Sequence, residues 1–225
     1  MSARQFSVVD VAQRSPAWFA ARLGRVTGSV AHDLIAMPKT GKGELAGRRN
    51  LRVRLALERV TGQSLDAGGY QSPAMAQGIA REGDARAAYE ALTGEVVSTS
   101  GFLAHDTIAA GVSLDGYVGD YAGVIEIKAP LAATHLEYLR SGRLPLDYYS
   151  QVTHALWLTG AAWCDWVSYS PEFPAGLQLK VVRVLRDEAE LHAYELALRL
   201  FLTEVEAEAA SIQALATAPA FAVAV

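Results

Sequence analysis

Residues 113–130, SLDGYVGDYAGVIEIKAP, constrain the fold more than any other part of the chain. Asp115 comes first, and Glu126 and Lys128 then flank Ile127, in a stretch otherwise made mostly of Val, Ile, Gly and Tyr. A carboxylate in an apolar sheet is costly unless it is paired, hydrogen-bonded or holding a cation. If Asp115 ends one strand and Glu126 lies in the next, a hairpin through YVGDYAG sets them side by side, with Cβ atoms about 4.5–5.5 Å apart. Strand alternation puts Glu126 and Lys128 on one face and turns Ile127 into the core. Two carboxylates so close call for a cation, and oxygen-only ligation suits Mg²⁺. Lys128 is then placed to orient or deprotonate a metal-bound water, or to stabilise charge developing on a phosphate. The same residues also fit an Asp-Gly turn beside an ordinary Glu–Lys pair on an exposed sheet face.

The elements around this stretch predict an α/β fold, with a mixed central β-sheet flanked by helices. RSPAWFAARL opens with Ser15 as N-cap and Pro16 at the first helical position. TGSVAHDLIA starts a short second helix after Thr27 or Ser29. Beyond a TGKGE loop, a third helix runs from about Leu45 to Val60, with Leu51, Leu55 and Val60 near helical spacing. SPAMAQGIAREGDARAAYEALTG is a fourth helix, closed by Gly94. The period then changes, and EVVSTSGFLAH, AAGVSLDGYVGD and AGVIEIK read as three strands. Helices at LAATHLEYLRSG and LDYYSQVTHALWLTG, strands at WCDWVSYS and LQLKVVRVL, and a long amphipathic final helix complete the order.

Composition limits the classes. With 225 residues, 51% hydrophobic and 20% charged, the chain has apolar material for a sizeable core and reads as one domain over 1–225. Within it the expected parts are a basic helical region over about 1–60, a core over about 70–187 and a C-terminal helix over about 186–214. Cys164 is the only cysteine, which excludes an internal disulfide and any all-cysteine metal cage. No stretch is long and apolar enough for a membrane span, and the apolar tail APAFAVAV is too short. A cytoplasmic location follows as the expectation.

The net charge of −4 conceals an asymmetry: eleven of the 20 Lys/Arg, but only four of the 24 Asp/Glu, fall in residues 1–60. A basic, Arg-rich quarter attracts phosphates even on an acidic protein.

A D-G strand end followed by a spaced E-x-K resembles the signature of the PD-(D/E)xK nucleases, whose core is restriction-endonuclease-like. The similarity extends through SPAWFAARLGRVTGS, GIAREGDARAAYEALTG, SLDG, GVIEIKAP and DYYSQVTHALWLTG, in that order. These blocks resemble the phage lambda exonuclease and YqaJ-like viral recombinase group from about Ser15 to Asp187. The resemblance implies that Asp115 and Glu126 ligate metal with the Ile127 carbonyl, and that Lys128 is the catalytic lysine. By the same resemblance Glu82 helps hold metal-bound water or a second metal, and Gln151 sits beside the lysine. Arg22 and Ser29 match positions that bind a 5′-terminal phosphate, with Arg25, Arg48, Arg49 and Arg52 as further DNA contacts. A lysine that family members can add to that region has no counterpart here, because Pro73 stands in its place; the Arg48, Arg49, Arg52 and Arg54 cluster is the candidate substitute.

The function implied is a Mg²⁺-dependent 5′-to-3′ exodeoxyribonuclease acting on ends of linear duplex DNA and leaving 3′ single-stranded tails for recombination. Mn²⁺ is expected to substitute, with two ions per site. The resemblance also implies a homotrimeric ring, a single-strand annealing protein as partner, and a phage or prophage origin in a bacterial host. Another nuclease on the same fold, an endonuclease or resolvase, and a catalytically silent DNA-binding module are the alternatives. His32, His105, His135, His154 and His192 lie in separate segments without ligand spacing, and Cys164, between Trp163 and Trp166 in an aromatic strand, reads as a core residue.

Overall fold

A computed structural model describes residues 4–36, 38, 43–66 and 73–217. The chain runs through β1 (Phe6–Val9), α1 (Pro16–Arg22), β2 (Val26–Thr27), a 3-10 turn (Gly28–Val30), α2 (Ala31–Ile35), α3 (Ala46–Thr61) and α4 (Pro73–Thr93). Five short strands follow: β3 (Val97–Ser98), β4 (Phe102–His105), β5 (Ala110–Val112), β6 (Gly116–Val118) and β7 (Gly123–Lys128). Then come α5 (Ala132–Ser141), α6 (Leu146–Thr159), β8 (Trp163–Tyr169), β9 (Leu179–Leu185) and α7 (Glu188–Thr217). Ser72, the first residue of the SPAMAQ stretch, most of the TGKGE loop and the APAFAVAV tail lie outside the described residues.

The strands form two sheets. A five-stranded sheet has the order β3-β6-β7-β8-β9, and a four-stranded sheet the order β1-β4-β5-β2. Each is mixed: β7 and β8 are parallel, joined by a crossover through α5 and α6, and β2 pairs parallel to β5. The three strands expected between Gly94 and Lys128 are therefore five, divided between the sheets. β4 and β5 leave for the second sheet, and Ser113–Leu114 carries the chain back to the first. β1 and β2 are additional strands, completed by pairing with β4 and β5 rather than by any alternation of their own.

Two faces of β7 bury against two different helices. Val124 packs in a core with Val152, Ala155 and Leu156 of α6, while Ile125 and Ile127 pack with Ala85 and Tyr89 of α4. Alternation thus aims Glu126 and Lys128 at α6. A third core joins α2, α3 and α7 through Leu34, Leu51, Leu55, Leu198 and Phe201. The α1 cap is as the sequence indicates, Ser15 Oγ accepting from the Trp18 N–H at 3.1 Å. Gly116 is demanded by packing: a Cβ there would meet Val97 Cγ1 at 2.4 Å, so the residue after Asp115 must be small for β3 to lie against β6.

Candidate active site

Antiparallel pairing of β6 with β7 sets Gly116 opposite Ile125, and the same register carried one residue further sets Asp115 opposite Glu126. The Ile127 N–H donates to Asp115 Oδ2 at 2.6 Å, tying the loop carboxylate to the strand that carries the other two charges. Glu126 is buried at 4% exposure, and its Oε1 receives Lys128 Nζ at 2.6 Å and Gln151 Nε2 at 2.6 Å. Gln151 Oε1 in turn lies 3.4 Å from Lys128 Nζ. The lysine ammonium also sits 4.9 Å from the centroid of the Tyr148 ring, one helical turn before Gln151 on α6. The expected Asp115, Glu126, Lys128 and Gln151 are one connected cluster.

Its electrostatics are those of a crowded acidic site. Asp115 keeps some surface open, yet the packing withdraws its carboxyl from bulk water. Burial raises its pKa well above the usual carboxylate range, and Glu126 and Glu82 push it further, against Lys128 and the Ile127 N–H. Burial acts to lower the Lys128 pKa, but the charges of Glu126 and Asp115 outweigh it, and the ammonium is held more firmly than usual. Glu82 of α4 is within electrostatic range of Asp115 but is turned to Arg86, at 2.9 Å. Accordingly, no group of three or more His, Cys, Asp or Glu side chains converges as a metal cage among the described residues. Glu82, Arg86 and Leu114 line a cleft of about 630 Å³ that also takes in Gln13, Arg14 and Ser100, and Asp115 follows Leu114 in the chain.

A second cluster is assembled from α1, β2 and the 3-10 turn. Arg22 Nη2 donates to Thr27 Oγ1 at 3.2 Å, and Thr27 Oγ1 lies 3.3 Å from Ser29 Oγ. The Arg22 guanidinium stacks 4.0 Å from the Trp18 ring centroid, and the Trp18 Nε1–H donates to Ser113 Oγ at 2.8 Å. Burial brings the Arg22 pKa down to about 10, leaving it cationic at neutral pH. Arg22 and Ser29 are therefore neighbours, as expected, and Thr27 and Ser113 join them. Thr27 was expected only as a helix start, and Ser113 carried no signal of its own, although it stands two residues before Asp115. The pocket adjoins the carboxylates: a Cβ on Gly28 would meet Gln151 Cγ at 3.5 Å and His154 Cδ2 at 3.7 Å.

The other expected phosphate contacts are placed differently. Arg25 Nη1 reaches the carbonyls of His105, Ile108 and Ala110 at 3.4–3.5 Å. Arg48 bonds Glu204 through two nitrogens, at 2.7 and 3.0 Å, and Arg52 bonds Glu208 at 3.1 Å; both also pair with Glu44. Arg59 pairs with Glu206. Arg49 is exposed on α3. The basic excess of the first 60 residues is thus answered in good part by the acidic face of α7, which sequence distance concealed.

Three of the five histidines lie in structural settings. His135 bonds Ser168 Oγ (2.7 Å) and the Leu177 carbonyl (2.8 Å); His154 bonds Tyr194 (2.6 Å) and the Gly111 carbonyl (3.0 Å); and His105 stacks on Trp157 at 5.2 Å. Cys164 is buried in the α6 core, and burial raises its thiol pKa. A second buried strand carboxylate, Asp165, was not singled out from sequence. It accepts from Tyr89 Oη at 2.7 Å and from Arg183 Nε and Nη2 at 2.8 Å each, on the α4 face of the sheet. A bidentate guanidinium satisfies it within the fold, whereas Asp115 and Glu126 share only one lysine.

Helices on both sides of a mixed sheet, with an Asp on one strand end and a Glu-x-Lys on the next, define a restriction-endonuclease-like protein. The chain belongs to the YqaJ-like viral recombinase domain family, whose model matches residues 17–162. It is similar to the alkaline exonuclease LHK-Exo from Laribacter hongkongensis, with 38% identity, 90% of this chain and 98% of that one covered, and a TM-score of 0.79. The same protein in complex with dAMP gives 37% identity, the same coverage and a TM-score of 0.80. A phage-related exonuclease from Haemophilus somnus 129PT, 12% identical, shares the fold over 86% of this chain and 96% of that one, with a TM-score of 0.65. A comparison with curated protein sequences gives no match.

Proposed function

We propose that this protein is a metal-dependent exodeoxyribonuclease that digests one strand of linear duplex DNA from its 5′ end, leaving 3′ single-stranded tails for recombination. The observation that carries the reading is the Asp115–Glu126 pair, drawn together by strand register and answered by Lys128. The similar alkaline exonuclease LHK-Exo supports the activity. The adjoining Arg22, Thr27 and Ser29 pocket supports the 5′ polarity, since a guanidinium fork with two hydroxyls suits a terminal phosphomonoester.

The residues present fit a divalent cation. The donor set is all oxygen, Asp115, Glu126 and the Ile127 carbonyl with Glu82 at longer range, and the raised Asp115 pKa marks a carboxylate short of positive charge. Such donors suit Mg²⁺, with Mn²⁺ as a substitute and a second ion towards Glu82. Bound there, the cation would supply Lewis acidity and a nucleophilic water at neutral pH. The protein's own groups do the rest. Gln151 holds Lys128 and Glu126 in register, and Lys128 is placed to share a proton with the attacking water or to stabilise the phosphate oxygens as charge develops. The Arg22 pocket holds the terminal phosphate beside Gln151, so the bond presented to the carboxylates is fixed by the strand end. A homotrimeric ring around DNA and a single-strand annealing protein as partner complete the proposal, on the strength of family membership.

A linear duplex and a closed circle, each incubated with and without Mg²⁺, test the reading. Nucleotide release from the linear form alone, and only with Mg²⁺, is expected. Cutting of the circle would point to an endonuclease or resolvase instead, and inertness on both to a silent DNA-binding module.

A further inference from the structure

We infer that Arg54 is a second guanidinium arm of the terminal-phosphate pocket, paired with Asp66 until a phosphate arrives, and that it sets how strongly the protein prefers a 5′-phosphate over a 5′-hydroxyl. The inference rests on the reading of Arg22 as a phosphate ligand and adds a residue to it. The C-terminal half of α3 gathers the parts. Glu58, buried at 3% exposure, accepts from the Gly24 N–H at 2.8 Å with one oxygen and from the Leu65 N–H at 3.0 Å with the other. The first bond anchors the turn just after Arg22, and the second anchors the segment that carries Asp66. Arg59 adds two bonds to the Gly24 carbonyl, at 3.0 and 2.9 Å. Arg54 lies one helical turn before Glu58 on the same face, and its Nη1 pairs with the Asp66 carboxylate. Arg22, Arg54 and Asp66 are therefore collected around one turn of α3, close enough for both Asp66 and Arg54 to act on the Arg22 charge.

One feature separates Arg54 from Arg48 and Arg52 on the same helix. The Nε atoms of Arg48 and Arg52 are bonded, to the Leu34 carbonyl at 3.3 Å and to Glu208 at 3.1 Å. The Nε atoms of Arg54 and of Arg22 are both buried without a hydrogen-bond partner among the described residues. Buried donors left unpaired are costly, and an oxyanion with several lone pairs suits two such donors from neighbouring guanidiniums. The charge balance points the same way. A phosphomonoester carries roughly −1.5 to −2 at neutral pH, more than one guanidinium neutralises. Asp66 meanwhile gives Arg54 a carboxylate partner that a phosphate oxygen can replace in the same fork.

The test compares Arg54→Ala, Arg54→Lys and Asp66→Asn with the unmodified protein, on duplexes matched except for a 5′-phosphate or 5′-hydroxyl. Both the ratio of initial digestion rates and the ratio of equilibrium binding without metal are read, at fixed salt. Arg54→Ala should lower the phosphate-to-hydroxyl preference by about 10- to 100-fold, the scale of one charge-assisted pair. Arg54→Lys should recover part of it, and Asp66→Asn should raise it, because the competing carboxylate is gone. A merely structural Arg54–Asp66 tie predicts otherwise: similar loss of thermal stability in Arg54→Ala and Asp66→Asn with the preference unchanged, and that result overturns the inference. A fall in preference in both variants also overturns it, since the opposite signs are its signature. Failure of the exonuclease reading would show separately, as no nucleotide release by the unmodified protein, and the binding ratio would still decide the role of Arg54.

Discussion

Replacing His154 by Gln tests how the floor of the proposed phosphate pocket is held. The ring is fully buried beneath Gly28; its Nε2–H donates to the Gly111 carbonyl at 3.0 Å, and its Nδ1 accepts from the Tyr194 hydroxyl at 2.6 Å. The carbonyl acceptor fixes that tautomer. Burial lowers the pKa to about 4; the Gly111 carbonyl opposes this, and Arg22 and His105 add to it. An unfolded histidine titrates near 6.5. Because the folded pKa lies below the unfolded one, the unfolded state binds its proton first on acidification. The stabilisation from the neutral ring is therefore complete above about pH 6.5 and is lost progressively as pH falls to about 4. A gap of roughly 2.5 units at about 1.4 kcal/mol each gives a loss of about 3 kcal/mol. Urea denaturation of both proteins at a series of pH values between 4 and 7.5 isolates it. Gln carries no titrating group, so its packing cost is constant, and the stability difference between the two proteins should shrink by about 3 kcal/mol from pH 7 to pH 4. A difference that stays constant with pH would refute a buried, neutral His154.

Three further outcomes follow from the same geometry. Lys128→Ala should still bind duplex ends, while its turnover falls at least about 10²-fold, read by comparing equilibrium binding with initial rates; a parallel loss of both would make Lys128 a phosphate anchor. Arg22→Ala should slow digestion of 5′-phosphorylated duplex far more than of 5′-hydroxyl duplex, whereas an unspecific surface arginine would weaken both equally. Arg183→Met should cost about 2–3 kcal/mol in denaturation, because Asp165 is left buried with Tyr89 alone, a cost below that of a fully enclosed pair since Arg183 is itself half exposed; an unchanged midpoint would show that Asp165 is not charged in the fold.

The helices were legible because their signals are local. Ser15, the apolar spacing of Leu51 and Leu55, and Gly160 beyond α6 predict elements close to those found. The charged strand was legible because period-two alternation fixes the side to which Glu126 and Lys128 point once the strand is recognised. β1 and β2 were not, since two to four residues completed by distant partners carry no pattern of their own. The contacts of Arg48 and Arg52 were hidden for a related reason: their carboxylate partners lie 156 residues away on α7, and a charge count by segment cannot see across a helix–helix interface. Asp165 illustrates the opposite error, a buried strand carboxylate of the same type as Glu126 that the fold satisfies itself.

Cleavage from a 5′ end at Asp115 and Glu126 is the core of the proposed function. Its most direct test is the time course of label release from two copies of one linear duplex in Mg²⁺, one labelled at its 5′ ends and the other at its 3′ ends, with Asp115→Asn run beside the unmodified protein. The 5′ label should leave first as mononucleotide while the 3′ label stays on long strands, and Asp115→Asn, although folded, should release neither. Early release of the 3′ label, or release by Asp115→Asn within about tenfold of the unmodified rate, would contradict it.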